Sequence, residues 1–184
     1  MKKLFLIIAM AQTIGVASAQ DYVVEDGYIK MVKVIENTGL SSDDAHEQMT
    51  VFMASFFNDV NETCKINTPT KLVYKFEADV ANVNKGLGVV HTYYAEYELT
   101  LSFKDNRMRV VLTAYNIDSH DMVNYYKGYN PAHAIPVVDD YDPVAVGVAK
   151  KHAQAIFNGL MHNMEAVMQS VEDGLQQMQS EDNW

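Results

Sequence analysis

Residues 93–115 read YYAEYELTLSFKDNRMRVVLTAY. In an extended chain, Tyr93, Ala95, Tyr97, Leu99, Leu101 and Phe103 fall on one side, and Tyr94, Glu96, Glu98, Thr100 and Ser102 on the other. Lys104-Asp105-Asn106-Arg107 is turn chemistry, because Asp and Asn tolerate left-handed backbone. Met108, Val110, Leu112 and Ala114 then resume the period of two. The stretch therefore predicts a long antiparallel hairpin with one dry face and one wet face. A dry face has to be covered, so amphipathic helices are required elsewhere in the chain.

Upstream, Tyr28 to Glu36 is rich in β-branched residues and reads as a strand. Asn37-Thr38-Gly39 is a turn, after which Ser41 caps a helix whose first turn carries Asp43 and Asp44. Ala45, Met49, Phe52, Met53, Phe56, Phe57 and Val60 recur at steps of three and four and form one apolar stripe. Asn58 to Thr63 ends that helix. Lys71 to Glu77 alternates again, with Leu72, Tyr74 and Phe76 on one side, and the Asn- and Gly-bearing stretch Ala81 to Gly88 reads as a turn region.

Downstream, residues 118–142 show no period. They form a loop bearing Tyr125, Tyr126, Tyr129 and Tyr141. A helix then runs over 143–179, with Asp142 at its N-cap and Pro143 in its first position. Ala149, Ala153, Ile156, Leu160, Met164, Val167, Val171, Leu175 and Met178 have the period of an undistorted helix, which suits packing on a sheet better than supercoiling. Phe157, Met161 and Met168 widen the stripe. Val144 to Met178, unbroken, would measure about 52 Å, against a diameter of about 40 Å for a globule of this size. Gly159 and Gly174 are the candidate break points. Otherwise the helix overhangs or meets a second copy of the chain.

The N-terminus has the form of a secretory signal peptide: Lys2 and Lys3, an apolar run from Leu4 to Ala11, and the small-residue box Ala17-Ser18-Ala19. Cleavage after residue 19 leaves 20–184 as a single α+β domain. This predicts an exported protein, periplasmic or secreted and soluble. No cysteine near the box would carry a lipid, and no other apolar run is long enough to span a membrane. Taking Lys2 and Lys3 from the 14 basic residues leaves 12 against 24 acidic ones, a net charge of −12. Nucleic acid and anionic surfaces repel such a chain unless its positive charge is localised. Along the sequence it is not, Lys150-Lys151 being the only adjacent basic pair after the leader. Cys64 is the single cysteine. It excludes an intramolecular disulfide and reads as a small buried residue near a helix end.

No pattern for catalysis stands out. There is no Gly-x-Ser-x-Gly elbow, no HExxH motif and no Cys–His arrangement. Glu96 and Glu98 share a strand face, which fits the wet side of a sheet. His120, His133, Asp139 and Asp140 are metal candidates if the 118–142 loop folds back on itself. Met161, Met164 and Met168 share a helical face with the soft donors that suit Cu(I), but that face is also the apolar stripe. No cofactor and no catalytic residue is expected.

The passage ENTGLSSDDAHEQMTVFMASFFND (36–59) and the hairpin YELTLSFKDNRMRVVLTAY (97–115) resemble a family of secreted bacterial envelope proteins of unknown function with a TBP-like fold. In that family a similar Gly-Leu-Ser segment precedes an aromatic-rich helix, and a Lys-Asp-Gly-Arg-type turn closes a similar hairpin. Here Asn106 replaces the glycine. The resemblance covers roughly Tyr28 to Ile117. It implies a curved antiparallel sheet with an N-terminal helix and a long C-terminal helix packed on one face, and it brings no catalytic residues.

The function expected is that of a non-enzymatic envelope module binding a protein, peptide, glycan or small ligand. Tyr125, Tyr126, Tyr129 and Tyr141 on the loop, and Tyr94 and Glu96 on the wet strand face, are the candidate contacts. The alternatives are a structural module that oligomerises through the C-terminal helix, and a metal-binding protein or metal-dependent hydrolase.

Overall fold

The computed structural model describes residues 22–25, 28–84, 90–119 and 150–181. The chain order is β1 (Tyr22–Glu25), β2 (Tyr28–Glu36), α1 (Ser42–Phe56), α2 (Val60–Thr63), β3 (Cys64–Thr68), β4 (Lys71–Asn84), β5 (Val90–Lys104), β6 (Arg107–Ser119) and α3 (Lys150–Glu181). The strands form one six-stranded sheet in the order β1-β2-β6-β5-β4-β3, with every neighbouring pair antiparallel. The fold is α+β, with α1 and α3 on one face of the sheet.

The hairpin of β5 and β6 lies at the centre of the sheet and has the expected faces. Tyr93, Ala95, Tyr97, Leu99, Leu101 and Phe103 are buried, as are Met108, Val110, Leu112 and Ala114. From β2, Ile29 and Met31 join them; from β4, Leu72 and Tyr74. The helices supply the lid: Ala45, Met49 and Met53 from α1, and Ala153, Ile156, Leu160, Met164, Val167, Val171 and Leu175 from α3. Each large apolar side chain so enclosed contributes about 1.5–3 kcal/mol. Lys33, on the helix side of β2, forms an ion pair with Glu172 of α3.

Ser41 caps α1 as its sequence predicts, accepting the Asp44 N–H at 3.1 Å. The helix ends earlier than its stripe suggests. Phe57 turns extended (φ −99°, ψ 132°) and lays its ring on Tyr74 at 5.1 Å and near Phe76 at 5.2 Å. Packing on the sheet therefore stops the helix. Val60 belongs to the separate short turn α2, capped by Asp59. Cys64 follows it and opens β3, half buried, where full burial was expected.

β1 and β3 are edge strands that the sequence pattern does not announce. β4 also continues to Asn84, through part of the expected turn region. Near its end a bulge inserts Val80 between Asp79, paired with Tyr94, and Ala81, paired with Tyr93.

α3 runs without a break for 32 residues, about 48 Å. Neither glycine breaks it. Gly159 lies against the backbone of Val80, and Gly174 against the ring of Phe52. Both are sites of close approach. The signal peptide, the 118–142 loop beyond Ser119, and the cap formed by Asp142 and Pro143 lie outside the described residues.

Candidate functional site

With one face of the sheet covered by helices, the other carries the exposed chemistry. Its residues follow from register. Lys30 of β2, Thr113 of β6, Glu98 of β5 and Lys75 of β4 form one row across four strands. A bulge lies beside this row. Ala95 pairs with Ile117 and Tyr97 with Ala114, so Glu96 alone opposes both Tyr115 and Asn116. Bulges of this kind re-aim side chains. Here the bulge brings the Asn116 amide to the Glu96 carboxylate at 2.9 Å.

Tyr115 is the centre of the cluster. Tyr28 meets it edge to face with ring centroids 5.1 Å apart. The Lys75 ammonium lies 5.4 Å from the Tyr115 ring centroid and 3.3 Å from the Glu98 carboxylate. Burial raises the Tyr115 hydroxyl above its ordinary range, and the Glu98 charge adds to this while Lys75 and Lys30 oppose it. Lys65, Lys75, Glu77, Glu96, Tyr115 and Asn116 line a depression of about 440 Å³. Its lining joins an aromatic ring to cations, carboxylates and an amide, a set suited to a polar ligand with both flat and hydrogen-bonding surfaces.

Of the residues singled out in the sequence, Glu96 lies in this depression. Tyr94 lies two residues along the same face, half buried, opposite Asp79 and Asp118 in register. Tyr125, Tyr126, Tyr129 and Tyr141, and the metal candidates His120, His133, Asp139 and Asp140, lie outside the described residues. Met164 and Met168 are buried in the core and Met161 packs against it. Among the described residues no three His, Cys, Asp or Glu side chains are grouped to hold a metal ion. No described helix is long and apolar enough to cross a membrane. Sequence reasoning missed Tyr28, Lys75, Tyr115 and Asn116. Tyr115 continues the alternation on the wet side of β6, so its face was readable. The bulge that pairs it with Asn116 has no sequence signature.

A second hollow, of about 610 Å³, separates α1 from α3. Gly174 and Phe52 both line it, the Phe52 ring lying against the glycine. Its rim includes Asp44, whose backbone and carboxylate are engaged in the Ser41 cap.

Two solved structures share the architecture. A TBP-like protein from Parabacteroides distasonis superposes with a TM-score of 0.64 at 14% identity, over 86% of this chain and 98% of its own. A DUF4468 family protein from Bacteroides ovatus gives 0.60 at 13% identity, over 86% of this chain and 91% of its own. The likeness establishes the TBP-like fold and transfers no residue roles. No protein family and no curated protein matches the sequence.

Proposed function

We propose that this chain is a non-enzymatic binding module of a bacterial envelope, taking a polar ligand of saccharide or glycopeptide type in the depression around Tyr115. One observation carries the reading. On the open face of a sheet whose other face is sealed by its own helices, a bulge gathers an aromatic ring, a lysine, an amide and carboxylates around one depression. The mixed lining favours a hydroxyl-rich ligand over a small apolar one. Glu96 and Glu98 are each engaged by a neighbour, Asn116 and Lys75, which supports recognition over acid–base catalysis. The leader-like N-terminus supports an exported location. The apolar stripe of α3 is consumed within the chain from Ala153 to Leu175, so self-association gains no support from it.

The test is a titration of ¹⁵N-labelled protein with soluble peptidoglycan fragments and with oligosaccharides lacking peptide. Saturable shifts at Tyr28, Lys75, Glu96, Tyr115 and Asn116 are expected. Tyr115→Ala and Glu96→Gln should each weaken binding about tenfold, the scale of one lost stacking or charge-assisted contact. A Tyr125→Ser, Tyr126→Ser, Tyr129→Ser variant with unchanged affinity would confine the site to the sheet. Shifts located only elsewhere, or none, would overturn the proposal.

A further inference from the structure

We propose that the opposite end of the same open face is a second site, for a tetrahedral oxyanion, formed by Ser102, Lys104, Arg107 and Arg109, with Lys71 beside Ser102 in register. The ligand class is a phosphate or sulfate group carried on a small molecule or short saccharide. This reading is independent of the Tyr115 site, because it rests on different residues and is read out at different amides.

The juxtaposition follows from strand register. Lys71 pairs with Ser102, and Ser102 with Arg109, which places the three in one row across β4, β5 and β6. Lys104 pairs with Arg107 in the next row, at the hairpin end. Directly opposed side chains on one face have Cβ atoms about 5 Å apart. Thr70, Ser102, Lys104, Arg107 and Arg109 line a depression of about 510 Å³, with Val34 on one wall. In the sequence these basic residues lie up to 38 positions apart, from Lys71 to Arg109, so charge counting along the chain does not reveal them. Folding makes the local concentration of positive charge that the linear pattern lacks.

At the tyrosine end of this face Lys30 forms an ion pair with Glu25, and Lys75 one with Glu98. At the other end Arg107 alone has a carboxylate, Glu36 at 3.6 Å, and both partners are exposed. Lys71, Lys104 and Arg109 make no ion pair among the described residues. The nearby Asp105 carboxylate is turned to the Ser42 N–H at 3.0 Å. Like charges directly opposite one another destabilise a sheet. In a chain with 24 acidic residues against 14 basic ones, carboxylates are abundant, yet among the described residues only Glu36 pairs with this group, through Arg107. An incoming anion would neutralise the remaining charge. The Arg109 guanidinium can present two parallel N–H donors to one oxyanion, and the Ser102 and Thr70 hydroxyls add neutral donors beside it. A recessed site with hydroxyl donors fits a discrete group better than a flat anionic lipid surface, which the net charge of −10 also repels.

The experiment titrates ¹⁵N-labelled protein at low salt with inorganic pyrophosphate and with glucose 6-phosphate, using glucose as control, and measures co-sedimentation with phosphatidylcholine vesicles containing phosphatidylglycerol. Saturable shifts are expected at Lys71, Ser102, Lys104, Arg107 and Arg109 with the two phosphates and not with glucose, weakening as salt screens the charges. Arg109→Ala should weaken binding about tenfold or more, and Arg109→Lys should fall between, because it keeps the charge and loses the fork. Arg109 is exposed, so both variants should melt with the wild type. No saturable shift, or equal affinity in Arg109→Ala, would overturn the proposal. So would Arg109-dependent vesicle binding without a response to pyrophosphate, which would make this a membrane contact.

Discussion

Asn106 shows how much one residue can join. Its backbone is left-handed, with φ 60°. Glycine takes that shape freely, and asparagine is among the few other residues that tolerate it. The side chain gives a reason for asparagine here. Its Oδ1 accepts the Gly39 N–H at 2.8 Å, while its own N–H donates to the Leu40 carbonyl at 2.8 Å and its carbonyl accepts from Thr38 at 3.3 Å. The hairpin turn and the β2–α1 connection are thus one hydrogen-bonded unit. Asn106→Ala loses the bond and strains the backbone, a cost of about 2 kcal/mol. Asn106→Gly loses the bond and relieves the backbone, so it should stay within about 1 kcal/mol of wild type. Urea unfolding should rank the alanine variant clearly last; equal stability of all three would remove the latch. The turn was legible from Asp105-Asn106, but its partner 67 positions away was not. Tyr74 is a contrasting case. It is fully buried, and its hydroxyl has no hydrogen-bond partner among the described residues, although the Cys64 thiol lies near it. Tyr74→Phe should therefore stabilise the protein by up to about 1 kcal/mol in the same assay, and a loss of stability would mean that the hydroxyl is satisfied.

Among the elements, α3 best separates what periodicity reveals from what packing decides. Its apolar stripe was legible because burial selects apolar residues at helical spacing. Its glycines were not, since a glycine in a helix pattern fits a break and a close approach equally well. At Gly159 an added Cβ would lie 1.5 Å from the Val80 carbonyl oxygen, which is backbone and belongs to the β4 bulge. One turn further on, Asn163 donates to the neighbouring Asp79 carbonyl at 2.8 Å, so α3 is fastened to this bulge on two successive turns. At Gly174 the obstacle is the Phe52 ring at 2.7 Å, a side chain that can rotate towards the hollow beside it. In an exposed helix, glycine to alanine gains about 1 kcal/mol. Gly159→Ala should instead lose about 3 kcal/mol, because helix and bulge must separate. Gly174→Ala should change stability by less than about 1 kcal/mol, propensity offsetting the displaced ring. Thermal melts of the two variants give the comparison, and equal losses would refute the distinction between backbone and side-chain obstacles. The edge strands were illegible for a related reason. β1 and β3, of 4 and 5 residues, are almost wholly exposed, so burial has left no alternation in them to read.

Among the described residues the sheet is sealed on one side by α1 and α3, and that sealed side holds tyrosines where aliphatic residues would serve. Tyr74 and Tyr97 are buried, and burial pushes both hydroxyls up, Tyr74 to about 12 and Tyr97 further, even though Asn163 holds the Tyr97 hydroxyl at 3.4 Å. In the unfolded chain both ionise near pH 10. Below that pH the two states bind the same protons at these sites, and the full stabilisation is present. Between about pH 10 and 12 the unfolded chain loses protons that the fold retains, so stability falls as pH rises. Each tyrosine held neutral steepens the fall by about 1.4 kcal/mol per pH unit, and two give about 2.7. Lysine deprotonation acts in the same direction, because it deepens a net charge that is already −10 at pH 7. Urea unfolding measured from pH 8 to pH 12 should show a plateau and then this descent. Tyr74→Phe separates the causes. It leaves the surface charge unchanged and removes one buried ionisation, so its descent should be shallower by the contribution of one tyrosine while its plateau is no lower. An unchanged slope in that variant would assign the alkaline loss to charge repulsion alone and remove the buried tyrosines from the explanation.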